Sequence, residues 1–214
     1  MNLPSRFDDE AARWDQNPGR VEVARAVGAA IGRILDLQPT WRVLDYGAGT
    51  GLVTLGIQPF VAEITALDTS EGMATELRRK LVAAGINNVR VRLWDLGTGS
   101  YPEGDFDLVV SSMTMHHVPD VPLVFKRMAE ILKPGGYLAV ADLDAEDGSF
   151  HAQKTGVYHH GFERSQIAGW LATAGYAQIA IHDAHSIRKP DAAGQERSYG
   201  VFLAVARKPV GPIP

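Results

Sequence analysis

Between Val21 and Leu37, apolar residues fall at positions 21, 24, 27, 31, 34 and 35. That spacing is one face of a helix, and Pro39 closes it. Short apolar runs and helical stripes then alternate along the chain. Strands are predicted at 42–45, 64–68, 89–93, 108–111 and 137–141, and helices at 52–60, 71–84, 121–132 and 163–174. Gly85, Lys133-Pro134-Gly135-Gly136 and Gly175 stop three of the helices. Two further strands, 179–182 and 199–206, have no helical stripe between them, because 183–198 is polar and contains Pro190. This stretch reads as a link that allows an antiparallel pair. Alternation of this kind predicts an α/β fold, a parallel sheet covered on both faces.

The composition suits one globular unit: 214 residues, 45% of them hydrophobic. No apolar run reaches membrane-spanning length, and the first residues, MNLPSRFDDEAARW, are polar and acidic rather than leader-like. A cytoplasmic protein without membrane association is expected. Cysteine is absent, which removes disulfides, thiolate metal sites and cysteine nucleophiles. The formal net charge is −4 and no basic stripe interrupts the mixed signs, so no nucleic-acid partner is expected.

One segment changes the picture from fold to chemistry. Val43-Leu44-Asp45-Tyr46-Gly47-Ala48-Gly49-Thr50-Gly51 is a strand running into a loop with glycine at every second position. Such a loop lets a cofactor approach the main chain and the N-terminus of the next helix. A dinucleotide fingerprint would need its third glycine at 52, where this chain has Leu52. Asp45, two residues before the first glycine, would repel a diphosphate. It suits a cofactor carrying an ammonium and a sulfonium, as S-adenosyl-L-methionine does. Asp68 ends the next apolar run, where a carboxylate can accept both ribose hydroxyls.

With these residues the sequence resembles the class I S-adenosylmethionine-dependent methyltransferases over most of its length. DYGAGTG is similar to the first motif of that family, ALDTSEGM to the second, LWDL to the third, FDLVVSSMTMHHV to the fourth and ILKPGGYLAVAD to the strand and turn beyond. The resemblance implies a Rossmann-like three-layer sandwich: a mostly parallel seven-stranded sheet with an antiparallel last strand and helices on both faces. It implies S-adenosyl-L-methionine as cofactor and S-adenosyl-L-homocysteine as product. Cofactor contacts are implied at Asp45, Gly47, Ala48, Gly49, Gly51, Asp68, Thr69 and Ser111. Met73 is implied beneath the adenine, Asp95 on its amino group and the Leu96 backbone at its ring edge. In layout the chain resembles the quinone-biosynthesis methyltransferases, and departs from their glycine-rich strand-four loop at SSMTMHHV.

Residues 21–214 are expected to form the methyltransferase domain and residues 1–20 a lid. The lid would carry Phe7 and Trp14 over the cofactor, with Arg20 reaching the cofactor carboxylate; the alternative is an edge helix that packs its aromatics on the sheet. The acceptor pocket is expected between this segment and the loops 112–117 and 142–151, with 157–162 as a fourth wall. Transfer from a sulfonium is an in-line displacement needing few catalytic groups, and a base only where the acceptor must lose a proton. His116, His160 and Asp142 are the candidates, with Asp142 or Asp144 orienting the acceptor or pairing with a pocket histidine. His117 is expected to pack or cap, and His151 to sit at the rim. Glu146 and Asp147 read as a solvated loop, His182 and His185 as structural or exposed. Met113 and Met115 line either an apolar pocket or the core. Adjacent side chains on an extended backbone point apart, so His159 and His160 are not expected to share an ion, and no metal site is expected. The chain lacks the Asn/Asp-Pro-Pro-Tyr signature of base methylation. Methyl transfer to a small molecule is therefore the leading expectation. A catalytically silent cofactor-binding regulator is the other.

Overall fold

The computed structural model describes residues 3–99, 101, 104–190 and 194–211, and the side chains from residue 6 onward. Seven strands form one sheet: β1 (Arg42–Tyr46), β2 (Glu63–Asp68), β3 (Val89–Leu93), β4 (Phe106–Ser112), β5 (Leu132–Leu143), β6 (Ala177–Pro190) and β7 (Glu196–Arg207). Their order is β3-β2-β1-β4-β5-β7-β6. Strands β1 to β5 pair in parallel, and β7 runs antiparallel to both its neighbours. This is the Rossmann-like arrangement that the family resemblance implies, and its parallel part is what the alternating pattern predicts.

Side-chain alternation along the strands builds the two larger of three apolar clusters, one on each face of the sheet. Val43, Leu108, Val110 and Leu203 face one side, where they pack with Val27 and Ile31 of α2 (Pro18–Ile34) and Val53 of α3 (Leu52–Ile57). Leu44, Val109, Leu138 and Phe202 face the other, against Phe125 and Met128 of α5 (Val121–Ile131) and Ile167 and Leu171 of α6 (Arg164–Thr173). Strand order reverses between β1 and β4, and the crevice beyond the carboxyl ends of such strands is where open α/β sheets bind ligands.

Three elements differ from the sequence reading. The stretch 183–198 is no link: β6 and β7 pair out to Pro190 and Glu196 as one long hairpin. Exposure alternates along His185-Ser186-Ile187-Arg188-Lys189, the signature of a strand with one covered face, and its polar composition hides that period. Pro190 ends an edge strand, where the missing N–H breaks no ladder. Helix α2 begins at Pro18, because the Asn17 side chain accepts from the Gly19 and Arg20 amides and Pro18 suits the first turn. The expected boundary at residue 20 therefore falls inside a helix. The helix expected over 52–60 gives way after Ile57 to a 3-10 turn, Gln58–Phe60, that contains Pro59. No helix among the described residues is long and apolar enough to cross a membrane.

Candidate functional site

The glycine loop leaves β1 and is tied to β2, with the Gly47 and Ala48 amides both donating to the Leu67 carbonyl at 2.9 Å. Gly47 has φ +72°, and a Cβ there would lie 2.3 Å from the Thr114 side chain. Both strain and space require glycine. The loop opens onto a cavity of about 910 Å³.

Three carboxylates line one end of it. Asp45, 2% exposed, accepts from the Thr54 hydroxyl at 2.5 Å. Burial pushes its pKa up to about 7, against the Thr54 hydrogen bond and with help from the charge of Asp68. Asp68 accepts from the Gly49 amide at 2.7 Å and the Ser70 amide at 2.9 Å. Burial raises its pKa too, beyond what those hydrogen bonds offset. Asp95 accepts from the Tyr46 hydroxyl at 3.0 Å and the Gly97 amide at 2.7 Å. Ala48, Gly49, Thr69 and Met73 line the same end, together with Trp94, which the sequence reading passed over although it precedes Asp95.

Gly51, Leu96 and Ser111 do not line the cavity. Gly51 starts α3 and faces Leu77 of α4 (Glu71–Ala84). The Leu96 side chain is fully buried and its carbonyl accepts from Arg127. The Ser111 hydroxyl is buried, donates to the Tyr46 carbonyl at 2.7 Å and so braces β4 on β1; the next residue, Ser112, reaches the cavity. Local packing accounts for the place of each of these three.

Helix α1 (Leu3–Glu10) and the 3-10 turn Ala11–Gln16 cover the cavity. Asp8 fastens α1 to the start of α4, accepting from the Ser70 hydroxyl at 2.6 Å and the Gly72 amide at 2.8 Å. The approach is close enough that a Cβ on Gly72 would stand 2.6 Å from the Asp8 Cα. Asp15 makes a second fastening, accepting from the Thr50 hydroxyl at 2.5 Å and pairing with Lys80. Trp14 lines the cavity, and the Arg20 guanidinium stacks 3.6 Å over its ring. Arg20 also lines the cavity, but its charge is paired with Glu10 at 2.9 Å.

The opposite end carries histidines. Ser112 and Ala141 are partners in the β4–β5 register, so the residues just beyond them, His116 and Asp142, meet. His116 is 2% exposed; its Nδ1 lies 2.7 Å from one Asp142 carboxylate oxygen, and its amide donates to the other at 3.2 Å. Burial pushes the Asp142 carboxyl up, but His116 and the Leu143 and His116 amides outweigh it and hold the pKa below its ordinary value. His117 Nδ1 lies 2.7 Å from the Gly156 carbonyl, and burial together with the charge of His116 pushes its pKa down to about 4. His151 is pushed down to about 3 by burial and by the same two neighbours. Met113 lines the cavity, whereas Met115 is core.

His160 stands elsewhere. Its side chain is 45% exposed, 3.7 Å from Glu146 and packed beside Gly148, and it does not line the cavity. The acid–base expectation is thereby left to His116 and Asp142. Asp144 is held by Arg164 at 2.7 and 2.9 Å. None of 157–162 forms a wall; the Tyr158 amide donates to the His116 carbonyl at 2.9 Å and the His159 amide to the same oxygen at 3.3 Å, so the segment props the histidine turn from behind. The far wall comes from Phe150, within the expected loop 142–151, and from Gln153, Ile187 and Lys189, whose ammonium lies 3.7 Å over the Phe150 ring. The polar composition of 185–189 hides its period, so the sequence carries no clear signal for this wall.

Residues 15–189 match the family model of the methyltransferase domain. The chain belongs to that family. The domain is 35% identical over 133 residues to the uncharacterized methyltransferase C1347.09 of Schizosaccharomyces pombe, covering 56% of this chain and 47% of that protein. It is 28% identical over 148 residues to the ubiquinone biosynthesis O-methyltransferase of Xanthomonas euvesicatoria, covering 63% of this chain and 62% of the relative. The methyltransferase domain thus matches between about half and three-fifths of the length of these relatives. Its fold is similar to that of phosphoethanolamine N-methyltransferase 2 of Haemonchus contortus in complex with S-adenosyl-L-methionine, with TM-score 0.69, 14% identity, and 95% of this chain and 60% of that one covered.

Proposed function

We propose that this methyltransferase domain binds S-adenosyl-L-methionine at the three-carboxylate end of the cavity and transfers its methyl group to a small-molecule acceptor held at the histidine end. The observation that carries the reading is one continuous cavity, lined by Asp45, Asp68 and Asp95 at one end and by His116 at the other. Carboxylates at the glycine loop suit a cofactor with a cationic amino acid moiety, with Asp68 on the ribose, Asp95 on the adenine and Met73 beside the ring. The methyl group is already activated, so the protein's task is to align the acceptor with the methyl–sulfur bond and keep water away. The new bond forms as the methyl–sulfur bond breaks, and S-adenosyl-L-homocysteine leaves.

For an acceptor that must lose a proton, His116 is the base. Asp142 accepts from its Nδ1, which leaves Nε2 with the lone pair that takes the proton. The segment 3–16 serves as the lid, fastened through Asp8 and Asp15 while the reaction proceeds. A roofed cavity of this size favours a small acceptor over a macromolecule. Calorimetry with S-adenosyl-L-methionine, S-adenosyl-L-homocysteine and NAD tests the cofactor, and expects the first two to bind and NAD not to. Methyl transfer to a panel of small hydroxyl, amine and thiol compounds then tests the reaction. Cofactor binding without turnover on any acceptor would favour a silent regulator, and no cofactor binding would reject both readings.

A further inference from the structure

The three histidines at the acceptor end do more than surround a base. One nitrogen from each of His116, His117 and His151 lies within 4.8 Å of the other two. The rings come from two elements: His116 and His117 from the turn after β4, His151 from the loop after β5. Each of the first two has its Nδ1 at 2.7 Å from an acceptor, the Asp142 carboxylate and the Gly156 carbonyl. An acceptor of that kind takes an N–H, so both rings keep their lone pair on Nε2. This is the outer shell that orients metal-binding imidazoles. His151 Nδ1 is buried and has no hydrogen-bond partner, an orphaned polar atom in the cavity wall.

We propose that His116, His117 and His151 bind one divalent transition-metal ion, with its open coordination positions facing the cavity. Three neutral imidazoles without a ligating carboxylate suit zinc, cobalt, nickel or copper rather than magnesium or calcium. Three protein ligands with a free position make an open site of the kind that exchanges its outer ligand. A tetrahedral ion with metal–nitrogen bonds of about 2.0–2.1 Å sets the nitrogens about 3.3 Å apart, so the rings draw together by at most about 1.5 Å. The sequence shows no spacing that announces the site, because 33 positions of chain separate His117 from His151. One consequence rests on the methyl-transfer reading: the ion would take the His116 lone pair that accepts the acceptor's proton, so zinc lowers turnover.

The site itself is tested without cofactor or acceptor, which keeps its failure distinct from a failure of that reading. Untagged protein of residues 1–214, stripped with a chelator, is titrated with zinc and separately with cobalt at neutral pH. One ion per chain, visible absorption from nitrogen-bound cobalt, and zinc-dependent shifts confined to the His116, His117 and His151 ring resonances are expected. His151→Ala should abolish tight binding, Asp142→Asn weaken it by about 10–100-fold, and His160→Ala leave it unchanged. The ring resonances of the wild-type chain decide the matter should a variant fail to fold. Binding no tighter than millimolar, shifts at other histidines, or affinity unchanged in a folded His151→Ala chain would overturn the site.

Discussion

Lowering the pH should weaken binding of a cationic cofactor through Asp45. In the free protein this buried carboxyl titrates at about 7, with burial as the main cause. A bound ammonium would hold it ionised, so below pH 7 the cofactor must first expel a proton, and affinity falls as pH falls. If Asp45 is ionised throughout in the complex, the dissociation constant is multiplied by 1 + 10^(7−pH), which is about 1.1 at pH 8, about 2 at pH 7 and about 11 at pH 6. Each further unit costs about 1.4 kcal/mol. Stability of the free fold has the opposite sign. The folded pKa lies above the unfolded value, so this group's contribution is fully present below pH 4 and is lost as pH rises through 7. The cofactor should therefore raise the melting temperature more at pH 8 than at pH 6. The assay is calorimetry of S-adenosyl-L-homocysteine at pH 6, 7 and 8 in two buffers of different ionisation enthalpy, with Asp45→Asn as reference for the ligand's own titration. About half a proton should be released per binding event at pH 7. A wild-type affinity that is flat or rises from pH 8 to pH 6, relative to Asp45→Asn, would refute the reasoning.

Asp68→Ala removes the carboxylate that the Gly49 and Ser70 amides orient; cofactor binding measured by calorimetry should be lost or greatly weakened. Asp142→Asn leaves His116 without its charged partner. Turnover on an identified acceptor should drop about 10²–10⁴-fold with cofactor affinity retained, and an unchanged kcat would dismiss the base. His160→Ala, outside the cavity, should leave kcat and cofactor affinity as they are. Asp8→Ala frees α1 from Ser70 and Gly72; hydrogen exchange over 3–16 should rise and the cofactor's dissociation rate with it, while unaltered exchange would mean that Asp8 is no fastening.

Much of the fold was legible because the strands alternate with amphipathic helices, and buried strands such as Leu108-Val109-Val110 are unbroken apolar runs. The carboxylate end of the cavity was legible because glycine and acid spacing is local: Asp45, the glycine loop and Asp68 sit at the ends of adjacent parallel strands. The same adjacency makes the His116–Asp142 pair readable, since β4 and β5 are consecutive neighbours. Residues 152–153 and 187–189 were harder. They reach the cavity from a loop and from a hairpin whose polar alternation resembles a linker. His160 misled for a related reason: two adjacent histidines look like chemistry, yet His159 points its Nε2 at the Val118 carbonyl, 2.9 Å away, and His160 turns outward. Asp144 likewise carried a plausible role, which its two hydrogen bonds to Arg164 absorb.

Strand β6 lies at the far edge of the sheet, four strands from β1, and its outer half gives Ile187, Arg188 and Lys189 to the cavity wall. Lys189, held by the Phe150 carbonyl and ring, stands on a different strand from Asp45, the glycine loop and Asp68. On the methyl-transfer reading the chain carries two parts drawn from different strands, one that holds a reagent and one that chooses its recipient. A family built this way can acquire new recipients by rewriting a few alternate positions on one edge strand, leaving the machinery at the centre of the sheet as it was.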